Sequence, residues 1–230
     1  MKKDKKMMPW KRGSKCLMTA VAFSLSLLPA QGEAVHFTIL PTSPEQHIQH
    51  FGASDAWSMQ FLGLWPEKQQ EQIADWLFSV ENDEMGKPKG IGLSLWRFNL
   101  GAGSEEQGEA SQIQRGTRTQ CFLNADGTYD WNKQAGQRRF LKLAKLRGVP
   151  YLLAFCNSAP VFYTQNGLAT NTGRGGTINL KDDCYQKFGK FIATSLKGIE
   201  EHDGIHIDYM SPINEPDGHW NWTGPKQEGS

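Results

Sequence analysis

Four short apolar runs, each ending in polar residues and the first three each followed by a connection long enough to hold a helix, restrict this chain more than any other feature. They lie at residues 51–57, 91–100, 151–158 and 205–209. Strands that alternate with amphipathic helices pair in parallel, because a parallel neighbour needs a crossover of helical length. The second run is the most informative. Ile91, Leu93 and Leu95 share a face with Arg97 and Asn99, so one face is apolar low down and polar at its C-terminal end. Strands of an α/β barrel have this pattern, with lower layers filling the barrel and upper residues lining a site. In the third run Asn157 has the parity of Leu153 and Phe155, and the first run ends near Asp55 and Trp57. The helices are predicted over 66–80, 131–147 and 181–200. Pro66 stands at the first helical position, Gly148 and Pro150 close the second helix, and Asp182 and Asp183 lie in the first turn of the third. Tyr185, Phe188, Ile192 and Ile199 mark the buried face of the third helix, and residues 101–130 and 167–176 read as loops. The fold class is α/β with a parallel sheet.

Two hundred and thirty residues with 38% hydrophobic content suffice for one domain with a core, and a net charge of +1 argues against nucleic acid as a partner. The N-terminus has a different character. Lysines and arginines between Lys2 and Lys15 precede an apolar run over 16–28 and then small residues up to Ala34. That is a signal-peptide pattern, too short to span a bilayer, so export to the periplasm or beyond is expected, with no membrane insertion after cleavage. Cleavage removes Cys16 and leaves Cys121, Cys156 and Cys184, without a metal-ligand spacing. A Cys121–Cys184 bridge is compatible with an oxidising compartment, whereas Cys156 reads as a buried hydrophobe. His202 and His206 are separated by Asp203-Gly204, which argues for a turn rather than a metal site. No metal and no cofactor is expected.

The fourth run leads into Ser211-Pro212-Ile213-Asn214-Glu215-Pro216, where neither proline suits a central strand. Asn214 and Glu215 set an amide beside a carboxylic acid, and His219, Trp220 and Trp222 follow. An acid beside an amide, ringed by aromatics at a strand end, suits a sugar. Indole faces stack on pyranose rings, the acid protonates a glycosidic oxygen, and the amide binds a hydroxyl.

Five pieces in order carry a family resemblance. They are Phe51-Gly52-Ala53-Ser54-Asp55-Ala56-Trp57, Trp96-Arg97-Phe98-Asn99-Leu100-Gly101-Ala102-Gly103, Phe155-Cys156-Asn157-Ser158-Ala159-Pro160, Asn166-Gly167 and Ser211-Pro212-Ile213-Asn214-Glu215-Pro216. With them the chain resembles glycoside hydrolase family 30, in its endo-β-1,6-galactanase-like branch. The resemblance implies a (β/α)8 TIM barrel with a β-sandwich side domain, and retaining hydrolysis of a polysaccharide or oligosaccharide. Glu215 then matches the acid/base, Asn214 the amide for the sugar's 2-hydroxyl, and Arg97 the arginine near the carboxylates. Trp57 and Asn157 match subsite residues; Asp55, Asn99, His219, Trp220 and Trp222 complete the candidate substrate-binding set. The family's Ser-Pro-Pro-x-Trp is here Ser158-Ala159-Pro160-Val161-Phe162, which leaves subsite preference open, with xylan and glucosylceramide as other substrates of the family.

On this reading residues 1–34 are the signal peptide, 35–50 a strand and linker belonging to the side domain, and 51–230 the first half of the catalytic domain. A barrel of eight strands takes ~250 residues, so the expectation is a barrel cut short after its fourth strand. The nucleophile would then lie outside the chain, which as it stands would not hydrolyse. A non-catalytic carbohydrate-binding protein, with Trp57, Trp220 and Trp222 as its platform, and an inactive remnant are the alternatives.

Overall fold

Strands β1 (Gly52–Ser54), β2 (Leu95–Asn99), β3 (Tyr151–Phe155) and β4 (Tyr209–Ser211) form one parallel sheet in the order β1-β2-β3-β4. The structure is a computed structural model and describes residues 36–38, 42, 46–170, 178–215, 218 and 226–229. These strands belong to the unit His47–Ser230; the unit Met1–Gln46 lies almost wholly outside the described residues. So do the predicted signal peptide and part of the predicted strand and linker at 35–50. No helix among the described residues is long and apolar enough to cross a membrane.

Helices α1 (Ser58–Leu62) and α2 (Glu67–Phe78) separate β1 from β2, α4 (Ala135–Leu146) separates β2 from β3, and α5 (Tyr185–Asp203) separates β3 from β4. This is the α/β order expected of the first four strands of a (β/α)8 barrel. Register places Trp96 beside Leu152 and Phe98 beside Ala154, and all four are buried on the face that the helices cover. Phe78 of α2 meets Trp96 edge-on, with ring centroids 5.0 Å apart. The opposite face carries Arg97, Leu153 and Phe155. Both sides of the central strands thus suit apolar residues, as buried parallel strands do.

Several boundaries differ from the sequence reading, each for a local reason. Strand β2 starts at Leu95 because Gly92 takes φ +62° and Ile91 is exposed. The N–H groups of Ile91 and Leu93 instead bond Trp76 O (2.8 Å) and Leu77 O (2.9 Å), satisfying carbonyls at the end of α2. Helix α2 begins one residue after Pro66, which takes the extended conformation at its cap. Helix α4 begins at Ala135 because Gln134 lies in the left-handed region (φ 53°). Helix α5 runs on to Asp203 and closes on Gly204 at φ +67°. Its buried face is Phe188, Phe191, Ser195, Gly198 and Ile199, while Tyr185 is exposed. Strand β4 lies at 209–211 rather than 205–209, although the Asp208 N–H already bonds Leu152 O at 2.9 Å. The connection at 101–130 holds α3 (Ser104–Gln107) and two 3-10 turns.

Helix α1 had no signal in the sequence. It crosses α4 at Gly63 and Gly136, so closely that a Cβ on either glycine would overlap the other helix's backbone. Helices α4 and α5 are joined by Asp203. Its carboxylate, fully shielded from solvent, receives Arg138 Nε and Nη2 (both 2.6 Å) and Lys142 Nζ (2.8 Å). Cys121, Cys156 and Cys184 are buried free thiols, so the Cys121–Cys184 bridge that the sequence allowed is not formed. His202 stacks on Trp131 and His206 reaches Glu200, so the two histidines do not converge.

Candidate active site

The C-terminal ends of the four strands open on one cleft of ≈ 400 Å³. Ser54, Ala56 and Trp57 reach it from β1, Arg97 from β2, Phe155 and Asn157 from β3, and Asn214, Glu215 and Gly218 from the loop after β4; Gln227 completes the wall. Pairing of Ser54 with Arg97 and of Arg97 with Leu153 aligns the strand tops, so side chains far apart in sequence share one rim. The parity seen in the sequence selects the face. Register across the sheet selects the neighbours.

Arg97 is the hub. Its Cζ lies 3.4 Å from the centroid of the Phe155 ring, a cation–π contact, and its Nη2 donates to Asn214 Oδ1 at 2.5 Å. That bond fixes the orientation of the Asn214 amide. With Oδ1 engaged, the N–H donors of Nδ2 are the groups left for a ligand. Burial lowers the proton affinity of Arg97, and the charges of Asp55 and Glu215 partly offset this. Glu215 is exposed and has φ 46°. Among the described residues four that are not glycine take positive φ, and two of them, Ala56 and Glu215, line this cleft. Such backbone costs ~1–3 kcal/mol each and gathers at functional sites.

Asp55 and Asn99 lie under the cleft rather than in it. Asp55 is 1% exposed; its Oδ1 accepts the Asn99 N–H (3.1 Å) and its Oδ2 accepts Gln137 Nε2 (3.2 Å). Asn99 O accepts Gln134 Nε2 (2.8 Å) and Gln137 Nε2 (3.3 Å), and Asn99 Oδ1 accepts the Asn157 N–H (3.4 Å). This network ties β1, β2 and α4 to the residues that follow β3, and so holds the cleft floor. Burial pushes the Asp55 carboxyl well above the usual range, against the hydrogen bonds from Gln137 and Asn99 and the charge of Arg97.

His219, Trp220 and Trp222 lie outside the described residues. Of the other tryptophans, Trp57 lines the cleft, Trp96 is core, and Trp131 packs on Tyr129, Phe122 and His202. Trp65 and Trp76 are exposed away from the cleft. Sequence reasoning missed Gln227, which sits in a polar tail without periodicity, and Gln134 and Gln137, which look like ordinary polar helix residues. An exposed acid, an oriented amide donor and an indole in one open cleft can bind a neutral, hydroxyl-rich ligand and transfer a proton to it.

The sequence model described as O-Glycosyl hydrolase family 30 matches residues 34–230. An endo-beta-1,6-galactanase from Hypocrea rufa is 26% identical over 201 residues, 81% of this chain and 40% of that protein. A conserved exported protein from Bacteroides fragilis superposes with TM-score 0.74 at 45% identity, over 80% of this chain and 38% of its own. The catalytic domain of GH30 xylanase C from Talaromyces cellulolyticus gives TM-score 0.56 at 27% identity, over 80% and 39%. The chain spans about two fifths of the length of these relatives.

Proposed function

Because the chain belongs to O-glycosyl hydrolase family 30, we propose that it carries the acid/base half of an exported, retaining glycosidase acting on β-linked galactan. The observation that carries this is the Arg97–Asn214 bond beside Glu215 in a cleft built from four strand ends. Glu215 protonates the departing glycosidic oxygen, then removes a proton from the attacking water. Asn214, its carbonyl held by Arg97, donates through Nδ2 to the 2-hydroxyl of the sugar. Trp57 supplies a stacking surface and Asn157 a second polar contact. Retention requires a nucleophile roughly 5–5.5 Å from the acid. Among the described residues Glu215 is the only carboxylate lining the cleft. Asp55 does not qualify, since it is shielded from solvent with both oxygens engaged. Residues 1–230 alone are accordingly expected not to hydrolyse.

Galactan as the substrate draws support from the similarity to the Hypocrea galactanase, and export from the basic–apolar leader and the similarity to an exported Bacteroides protein. The test uses the protein at its full encoded length, assayed on β-1,6-galactan, xylan and glucosylceramide. Glu215→Gln is expected to lower kcat on the galactan by ~10²–10⁴-fold, the usual contribution of a positioned acid/base. Unchanged kcat in that variant refutes the role of Glu215. Preference for xylan or glucosylceramide refutes the substrate. Sugar binding without hydrolysis by any form favours a non-catalytic binding protein.

A further inference from the structure

Residues 226–229 return to the cleft after Glu215, and the way they are held has a functional consequence. Lys226 pairs with Ile113 in a parallel bridge, and its carbonyl accepts the Gln114 N–H (3.4 Å) and Thr117 Oγ1 (3.2 Å). Gly229 donates to Ala169 O at 2.8 Å and bridges to Thr170. Between them Glu228 is 1% exposed and points into the protein. Its Oε1 accepts Ser104 Oγ (2.6 Å), the Ser104 N–H (3.3 Å) and the Ala102 N–H (3.3 Å). A buried carboxylate with that many donors is a fixed anchor.

Glu228 is turned inward on the loop after β2, and its neighbour Gln227 lines the same cleft as Glu215, Arg97 and Trp57. The partners of this anchor belong to the loop after β2, so the cleft wall is set by contacts far from it in sequence.

We propose that Gln227 is a substrate-binding residue of the cleft and that Glu228 is its positioning residue. The inference rests on the glycan reading above and deepens it. A primary amide offers both donors and an acceptor on one rigid plane. It therefore suits a pair of neighbouring sugar hydroxyls. Glu228 does not touch the sugar; it fixes which way the segment faces.

The experiment measures kcat, KM and the affinity for β-1,6-galactobiose in the protein at its full encoded length. Gln227→Ala is expected to raise KM and Kd by about 3- to 10-fold, the effect of losing one or two neutral hydrogen bonds, with kcat and Tm unchanged. Glu228→Ala is expected to reproduce that KM loss. The double variant should be no worse in KM than either single one, because each removes the same contact. Should Glu228→Ala fail to fold, Ser104→Ala, which deletes the 2.6 Å hydroxyl donor, is the milder release and should raise KM in the same sense. A parent protein that binds galactobiose and a Gln227→Ala variant that binds it equally well overturn this inference alone. Additive KM losses overturn the positioning role of Glu228. A parent that binds no β-galactan overturns the glycan reading and this inference with it.

Discussion

Replacing Asp203 by Ala should destabilise the fold by ~3 kcal/mol, near the low end of the 3–5 kcal/mol seen when one member of a buried ion pair is removed. The magnitude follows from who is left behind. The Asp203 side chain is fully shielded and Arg138 is only 13% exposed, and the two meet through a two-pronged contact with both N···O distances at 2.6 Å. Without the carboxylate, the guanidinium keeps its bond to Trp131 O but has no counter-charge. Lys142 is 44% exposed and can turn to water, so it adds little to the loss. The perturbation loosens α5 from α4, the helices on either side of β3 in the chain. Urea denaturation of the parent protein, Asp203→Ala, Lys142→Met and Arg138→Met measures it. A loss of ~3 kcal/mol corresponds to a fall in Tm of ~6–12 °C for a unit of this size. Lys142→Met should cost less than ~1 kcal/mol. In a double-mutant cycle Asp203 and Arg138 should couple by at least ~1.5 kcal/mol. If Asp203→Ala costs no more than Lys142→Met, burial does not set the strength of this pair and the reasoning fails.

Two further outcomes concern the cleft and its supports. Burial pushes the Glu228 carboxyl up to about 7, opposed by the donors on Ser104, Thr119 and Ala102. The titratable groups that feel its charge are the buried thiols of Cys121 and Cys156, with the Glu106–Lys133 pair beside Cys121. With the folded pKa above the unfolded one, its contribution to stability is full below the ordinary carboxylate range and is lost as pH rises through about 7. A displacement from 4.5 to about 7 is worth ~3 kcal/mol. Denaturation at pH 5 and pH 8 should therefore show a stability loss in the parent that Glu228→Gln lacks, and equal losses would refute it. Asp55 contributes with the same sign to both proteins and cancels in the comparison. Gly136→Ala should force α1 off α4 and cost ~2–3 kcal/mol, the upper range for overpacking because backbone rather than a flexible side chain is in the way. It should also weaken ligand binding, since α1 follows Trp57 directly. A stable variant with unaltered binding would show that the two helices can separate freely.

Much of this was legible in the residues. Alternation of strand and helix is written in local periodicity, and the polar tops of β2 and β3 follow from side-chain parity, although register was needed to bring Arg97 and Asn157 to one rim. Asn214 and Glu215 were legible because two prolines end the strand around them. Helix α1 was not, because five residues carry too little periodicity and its position depends on a glycine contact with α4. The start of β2 was hidden for a similar reason. Ile91 and Leu93 have strand-like parity, but their N–H groups are taken by the last turn of α2.

Local pattern thus determined the α/β class, the strand order along the chain and the acid and amide of the cleft, because those depend on neighbours a few residues apart. Tertiary structure alone decided that Asp55 and Asn99 lie beneath the cleft, that Trp57 lines the cleft while Trp96 is core, and that Gln227 joins the wall. Each of those depends on which groups far apart in sequence satisfy one another's charges and hydrogen bonds once water is excluded. A single sequence carries no local trace of that pairing.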